Sequence, residues 1–180
     1  MFFAPQGSSV RWLKLRPANS APIPGIAAFD VRSSATRSWQ LRVPGNIRYL
    51  VVDTPASVPA ENMAELTSGA HAILIPVLPS DIDVHAASSL LRDLLLIARV
   101  SRGMGRIGVI ANRVRENTVA YRKLMRFLNS LSISVIGVLR DSQNYVHSAE
   151  KGLSIHEMHS SRLQQDTERW QPIFDWLEER

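Results

Sequence analysis

Cysteine is absent from the 180-residue sequence, which excludes disulfide bonds and any metal site built on thiolate ligands. A protein without cysteine is expected in a reducing compartment such as the cytoplasm. The sequence also has no apolar run that approaches the roughly 20 residues a helix needs to cross a bilayer. Its first residues lack the basic-then-apolar order of a secretion signal. These absences predict a soluble, intracellular protein.

Acidic residues are scarce between Arg99 and Arg126, where only Glu116 opposes a run of basic side chains. The basic residues are Arg99, Arg102, Arg106, Arg113, Arg115, Arg122, Lys123 and Arg126. The formal net charge is +5, and the segment from Glu157 to the C-terminus leans acidic through residues that include Asp166. The basic run is either a phosphate-facing patch that binds DNA without reading bases, or a well-solvated surface.

Apolar residues make up 45% of the sequence, enough for one domain with a core over residues 1–180. Short apolar runs predict strands at 26–31, 47–53, 72–77, 106–111 and 133–139. Helical patterns predict helices at 10–16, 35–41, 60–68, 80–101, 118–128, 144–151 and 163–179. Strands separated by single helices need right-handed crossovers, so we predict an α/β fold, a doubly wound and mostly parallel sheet with helices on both faces.

The stretch from Ile47 to Pro55 predicts the first candidate site. Its β-branched apolar middle is typical of a strand buried on both faces, and Asp53 follows at the carboxyl end, where open α/β sheets bind ligands. A carboxylate there either holds Mg²⁺ through water beside a nucleotide phosphate, or caps the turn into the next helix. Because the strands ending at Asp53, Leu78 and Asn112 are predicted to share one sheet, we expect these positions along one rim.

Five short motifs occur in a fixed order along nearly the whole chain. They are Pro5-Gln6-Gly7-Ser8, Tyr49 to Pro55, Ile75 to Ser80, Val109 to Val114, and Val138 to Ile155. In this order they resemble the ParA/MinD group of deviant P-loop ATPases, which partition plasmids and chromosomes or position other cargo. The first motif resembles the switch I loop of that family, and the second resembles its Walker B strand and second switch.

The resemblance implies ATP and Mg²⁺ as cofactors, with Asp53 holding the metal indirectly as the Walker B-like catalytic residue. It also places four residues in switch loops that sense phosphate: Gln6, Gly7, Thr54 and Pro55.

The resemblance further places four residues beside the adenine. Asn112 would hydrogen-bond the base edge, or it satisfies a turn at the strand end. Arg113 would stack on the base or cross a dimer interface. Arg140 and Asp141 would close over the base, or they pair with each other on the surface.

The same resemblance implies a homodimer that forms with ATP and binds DNA nonspecifically. The homodimer would be released from DNA when a ParB-like partner stimulates ATP hydrolysis. The DNA-binding residues would be Arg113, Arg115, Arg122, Lys123 and Arg126. The expected location is then the cytoplasm, in association with the nucleoid. Membrane attachment is not expected, because the last predicted helix is acidic and carries Trp170, Phe174 and Trp176 as packing residues.

One essential element of the family is missing from this sequence. It contains neither Gly-x-x-x-x-Gly-Lys-Ser/Thr nor Lys-Gly-Gly-x-Gly-Lys-Thr, the loop whose amides and lysine hold the phosphates. Phe2 and Ala4 also stand where the family has two switch carboxylates. By resemblance, the strand before that loop would lie between the strands 47–53 and 72–77. Either the sequence starts too late, or the chain is a degenerate relative.

Three functions are therefore open for these 180 residues. The first is a ParA-like ATPase module of partition or cargo positioning that is nucleotide-incompetent as it stands. The second is a catalytically silent adaptor that binds a protein partner without ATP. The third is an ATP-dependent enzyme of the same fold group that acts on a small carboxylate; the basic run argues against it.

Overall fold

Two short parallel sheets carry the fold in the computed structural model, which describes residues 2–4, 8–27, 45–54, 58–96 and 107–179. The first sheet has the order β2-β1-β3 and contains β1 (Phe2–Ala4), β2 (Gly25–Ala27) and β3 (Val51–Val52). The second has the order β4-β5-β6 and contains β4 (Ile73–Val77), β5 (Ile107–Val114) and β6 (Ser134–Arg140). Every pair of neighbouring strands is parallel, and the predicted α/β class is confirmed.

Helices connect and cover these strands. They are α1 (Ser8–Leu15), α2 (Ala60–Thr67), α3 (Asp81–Leu96), α4 (Val119–Ser130), α5 (Gln143–Glu150), α6 (Gln164–Glu168) and α7 (Gln171–Glu178). Short 3₁₀ helices lie at Ile155–Glu157 and Ser161–Leu163. Among the described residues, no helix combines the length and the apolar character needed to cross a bilayer.

The chain divides into two compact units. Unit 1 consists of Met1–Val58 and Tyr145–Glu157 and contains the first sheet with α1 and most of α5. Unit 2 consists of Pro59–Asn144 and Met158–Arg180 and contains the second sheet with α2, α3, α4, α6 and α7. A single domain over residues 1–180 stays a prediction.

β5 is the centre of unit 2, because it lies between β4 and β6 and is buried on both faces from Ile107 to Ala111. On one face, Ile110 and the β6 residues Ile136 and Leu139 pack around Ile173 of α7. Strand alternation places the fully buried Val109 on the opposite face. Helix α3 packs on β4 and α4 on β5, through the buried side chains Leu91, Leu94, Leu124 and Leu128.

Unit 1 is held together where the end of α1 meets the turn after α5. The Arg16 side chain is only 7% exposed and its Nη2 lies 2.5 Å from Oε1 of Glu157. Arg16 Nη1 also donates to the carbonyl oxygen of Gly152 at 3.3 Å. The hydrogen bond from Arg16, followed by one from the Ser154 backbone N–H, lowers the pKa of Glu157 to about 2. Residues distant in sequence are therefore joined by a largely buried ion pair.

The prediction that residues 47–53 form a strand buried on both faces is wrong. Only Val51 and Val52 form β3, and they are 46% and 38% exposed. Tyr49 and Leu50 are exposed as well. Within the described residues β3 pairs only with β1, so it is an edge strand, and no ladder partner covers its other side. The apolar run predicts a strand, but burial depends on neighbours that the run does not encode.

Several other predicted elements differ in their bounds. The strand predicted at 106–111 continues to Val114, so Asn112 and Arg113 lie within β5 rather than beyond it. The helix predicted at 163–179 is divided, because α6 ends at Glu168 and α7 begins at Gln171 with a proline in its first turn. The helix predicted at 35–41, the end of the strand predicted at 26–31 and the end of the helix predicted at 80–101 lie outside the described residues.

The three positions expected along one rim belong to two sheets. Asp53 follows β3 in the first sheet, whereas Leu78 follows β4 and Asn112 lies in β5, two neighbouring strands of the second sheet. One continuous rim that includes Asp53 stays a prediction.

Candidate functional site

A bulge near the carboxyl end of β5 places two predicted site residues outside the regular ladder. Ala111 pairs with Val138 and Val114 pairs with Arg140, so β5 has one more residue than β6 between these pairs. Arg113, within the bulge, has a φ of 50°, a left-handed conformation that costs a non-glycine residue about 1–2 kcal/mol. Its backbone N–H donates to Oδ1 of Asn112 at 3.0 Å. Bulges re-aim side chains beside functional sites, and this one carries Arg113.

Asp141 joins the ends of β5 and β6. Its backbone N–H donates to the carbonyl oxygen of Val114 at 3.0 Å. Its Oδ1 accepts a hydrogen bond from Arg113 Nε at 3.3 Å, and its Oδ2 accepts one from Arg115 Nη2 at 2.9 Å. The hydrogen bonds from Arg115 and Arg113 hold the pKa of the Asp141 carboxyl below its usual value. One carboxylate therefore binds two guanidinium groups.

Arg140 pairs with the buried acid Asp166 rather than with its sequence neighbour Asp141. Its guanidinium pairs with Asp166, so the alternative that Arg140 and Asp141 pair with each other is wrong. Asp166 is fully buried and also accepts from Ser142 Oγ at 2.8 Å and from Asn144 Nδ2 at 2.7 Å. Burial by itself raises the pKa of Asp166, but the hydrogen bonds from its three partners leave that pKa below its ordinary value. Asp166 thereby anchors the turn that follows Asp141.

Asp53 is paired within unit 1. It is half-buried directly after β3, and its Oδ2 accepts a hydrogen bond from Ser9 Oγ at 2.6 Å. Ser9 lies in the first turn of α1, which begins at Ser8. Carboxylate and hydroxyl oxygens fit a hydrated Mg²⁺ ion, which Asp53 and Ser9 would hold through water. The described residues contain no cluster of three or more His, Asp or Glu side chains arranged to hold a metal.

The other residues predicted for the switch loops give less information. Thr54 is exposed beside Asp53. Gln6, Gly7 and Pro55 lie outside the described residues, so their roles stay predictions.

Helix α4 separates apolar and basic side chains. Thr118 caps its start by accepting a hydrogen bond from the Tyr121 backbone N–H at 3.2 Å. Leu124 and Leu128 are buried, whereas three basic residues on the opposite side are exposed: Arg122, Lys123 and Arg126. These three take no part in the ion pairs of the described residues. Arg99, Arg102 and Arg106 lie outside the described ranges.

Two site residues escape prediction from the sequence. Ser9 has no predicted role in the site, although its place just after the Pro-Gln-Gly loop is a signal that could have marked it. Asp166 is named in the sequence only as one of several acids in an acidic C-terminal segment, and the structure buries it completely. A single acid in an acidic segment carries no signal of burial.

Among solved structures, the chain is similar to the MinD cell division protein of Aquifex aeolicus, with a TM-score of 0.53 and 20% sequence identity. The match covers 73% of this chain and 55% of that chain, so the chain spans about half the length of this neighbour. No family model and no curated protein sequence matches the chain. At this identity the similarity shows the fold, a MinD-like α/β arrangement of parallel strands and helices.

Proposed function

We propose that the chain is a ParA/MinD-type module that binds DNA without sequence preference and serves DNA partition or the positioning of other cargo. The observation that supports this function is the basic surface of unit 2. We define the basic surface as the exposed side chains of Arg113, Arg115, Arg122, Lys123 and Arg126. The MinD-like fold supports the choice of family.

The placement of these charges suits a phosphate backbone. Arg122 and Arg126 lie about one helical turn apart, roughly 6 Å along the axis of α4. Glu116, which lies between Arg115 and α4 in sequence, is paired with Arg169 at 2.5 Å. Asp141 binds Arg113 and Arg115, whereas Arg122, Lys123 and Arg126 take no part in the ion pairs of the described residues. Such a surface neutralises several phosphates by releasing counterions, without contacts that would specify bases.

Removing two charges from α4 is expected to weaken DNA binding. The double variant Arg122→Ala/Arg126→Ala should bind a fluorescent DNA duplex on the order of 10-fold more weakly, and its salt slope should fall by about 2. The effect should be the same for duplexes of unrelated sequence, because phosphates are the targets. Fluorescence anisotropy over a salt series measures both quantities.

The matched control is Arg11→Ala/Lys14→Ala, which removes two exposed charges from α1 in unit 1. If the control weakens DNA binding as much as the α4 variant does, the effect is one of net charge, and the proposed role of the basic surface is refuted.

We further propose that ATP and Mg²⁺ are the cofactors of the whole protein, with Asp53 and Ser9 as the Mg²⁺-water site. The dimer and the ParB-like partner are proposals on the same basis. When bound, Mg²⁺ neutralises phosphate charge. Because the sequence lacks the glycine–lysine loop, these 180 residues are proposed not to retain the nucleotide by themselves.

A direct binding measurement tests whether these 180 residues bind the nucleotide. A fluorescent ATP analogue with magnesium should show no saturable binding to the chain, and the titration should match that of Asp53→Ala. Circular dichroism and size-exclusion chromatography show whether both proteins are folded and monodisperse. Saturable binding that disappears in Asp53→Ala would demonstrate a surviving phosphate site and contradict the proposal.

A second candidate function applies to these 180 residues as they stand. A silent adaptor would keep the fold and a surface for a protein partner, without ATP. It differs from the first proposal in needing no DNA contact. Loss of DNA binding only in Arg122→Ala/Arg126→Ala supports the DNA-binding module, whereas a folded chain that binds neither ATP nor DNA supports the adaptor.

A further inference from the structure

The basic surface contains two kinds of cation. Arg122, Lys123 and Arg126 project from α4 and take no part in the ion pairs of the described residues. Arg113 and Arg115, by contrast, already share the carboxylate of Asp141. Two of the five charges are therefore occupied by an anion that belongs to the chain itself.

The geometry around Asp141 resembles a guanidinium pair that holds an anion. Each carboxylate oxygen accepts from a different arginine, and Arg115 offers both Nε at 3.2 Å and Nη2 at 2.9 Å to Oδ2. A phosphate oxygen accepts charge-assisted hydrogen bonds from guanidinium groups in the same way as a carboxylate oxygen. Asp141 thus occupies the position that a phosphate would take between these two arginines.

The exposed fractions of the three side chains indicate that Asp141 is fixed in place and that the two arginines can exchange partners. The Asp141 side chain is 24% exposed, and its backbone is tied to Val114. The side chains of Arg113 and Arg115 are 66% and 76% exposed. Ion pairs between such exposed groups contribute little to stability, so the arginines can change partner at small cost while Asp141 stays in place.

We propose that Asp141 is an acidic brake on DNA binding, which occupies Arg113 and Arg115 until a phosphate of the DNA backbone displaces it. The proposal rests on the DNA-binding function proposed above and adds the regulation of that surface. The left-handed conformation of Arg113 and its hydrogen bond to Asn112 keep the arginine beside Asp141 in the absence of DNA.

Removing the charge of Asp141 tests the brake. Asp141→Asn should bind a fluorescent DNA duplex on the order of 10-fold more tightly than wild type at low salt. Its plot of log affinity against log salt should be steeper by about 1 to 2, because two more guanidinium groups reach phosphates. Adding Arg115→Ala to Asp141→Asn should return affinity and slope toward the wild-type values.

The matched control is Asp93→Asn. Asp93 is 27% exposed and pairs with Arg92 at 3.4 Å. This variant therefore changes the net charge by the same amount and also releases one arginine, which belongs to α3 and not to the basic surface. It should change DNA affinity less than about twofold. If thermal unfolding shows that Asp141→Asn is unstable, Asp141→Ser provides a second variant that lacks the charge.

The outcomes separate the two proposals. If wild type binds DNA but Asp141→Asn and Asp141→Ser bind no more tightly than Asp93→Asn, the brake is overturned and the DNA-binding function stands. If folded wild type and all variants fail to bind DNA, the DNA-binding function itself is overturned and the brake with it. Tighter binding by the Asp141 variants alone, reversed by Arg115→Ala, establishes the brake.

Discussion

Replacing Asp166 with alanine is expected to lower the free energy of unfolding by about 3–5 kcal/mol, because the substitution breaks a buried ion pair by removing one partner. Asp166 has no exposed surface, whereas its partner Arg140 is 32% exposed. Without the carboxylate, the guanidinium of Arg140, the hydroxyl of Ser142 and the amide of Asn144 all lose an acceptor. Urea unfolding followed by far-ultraviolet circular dichroism measures the loss.

Asp175→Ala is the matched control for this substitution. Asp175 is an exposed acid on α7 that accepts one hydrogen bond, from Gln171 at 2.7 Å. Exposed substitutions of this kind usually change stability by no more than about 0.5 kcal/mol. Equal losses in Asp166→Ala and Asp175→Ala would refute the structural role assigned to Asp166.

The pH dependence gives an independent check on Asp166. Its folded pKa is depressed, so its contribution to stability is complete above the unfolded value and is lost as the pH falls through the folded value. Wild type should therefore lose stability more steeply than Asp166→Asn between about pH 5 and about pH 3. Other groups with a lowered pKa, such as Glu157, are present in both proteins, so their contributions to the pH dependence cancel in the comparison.

Gly152→Ala is expected to lower the free energy of unfolding by about 3 kcal/mol or more, through two separate causes. Gly152 has a φ of +65°, and a side chain in that left-handed region costs about 1–2 kcal/mol. An added Cβ would also lie 2.4 Å from the backbone carbon of Leu15 and 2.5 Å from the nitrogen of Arg16. The end of α1 would have to move away, which disrupts the ion pair between Arg16 and Glu157.

Gly69→Ala isolates the first of these causes. Gly69 has a φ of +73°, but a Cβ there would meet no atom within 4 Å. Its substitution should therefore cost only about 1–2 kcal/mol. Urea unfolding of both variants, with hydrogen exchange to follow the amides of α1, measures the difference. If the two substitutions lower the free energy of unfolding equally, close contact between α1 and Gly152 is not what stabilises unit 1.

Local patterns predicted the elements of the second sheet well. The apolar runs at 72–77 and 133–139 correspond to β4 and β6, and the amphipathic pattern of α4 separates buried Leu124 from exposed Arg122. Gly69 ends α2 in a left-handed conformation, as its position predicts. These features depend on residues within a few positions of one another, so the sequence shows them directly.

The candidate site was predicted less completely, because its geometry depends on contacts between distant segments. Asn112, Arg113, Arg140 and Asp141 were all chosen from the sequence, yet their pairing was not. Arg140 binds Asp166, which lies 26 residues away, and Asp141 binds Arg113 and Arg115 across two strands. No local pattern marks the bulge that carries Arg113, because a bulge is defined by the register between two strands.

The sequence by itself determined the α/β class, the order of strands and helices from α2 to α5, the placement of Asp53 just after a strand, and the basic face of α4. Each of these follows from local spacing of apolar, charged and turn-forming residues. Only the tertiary structure decided that β3 is exposed, that Asp166 is buried, and that Asp141 occupies two arginines. Burial and ion pairing depend on which segments become neighbours after folding, and that information is distributed over the whole chain.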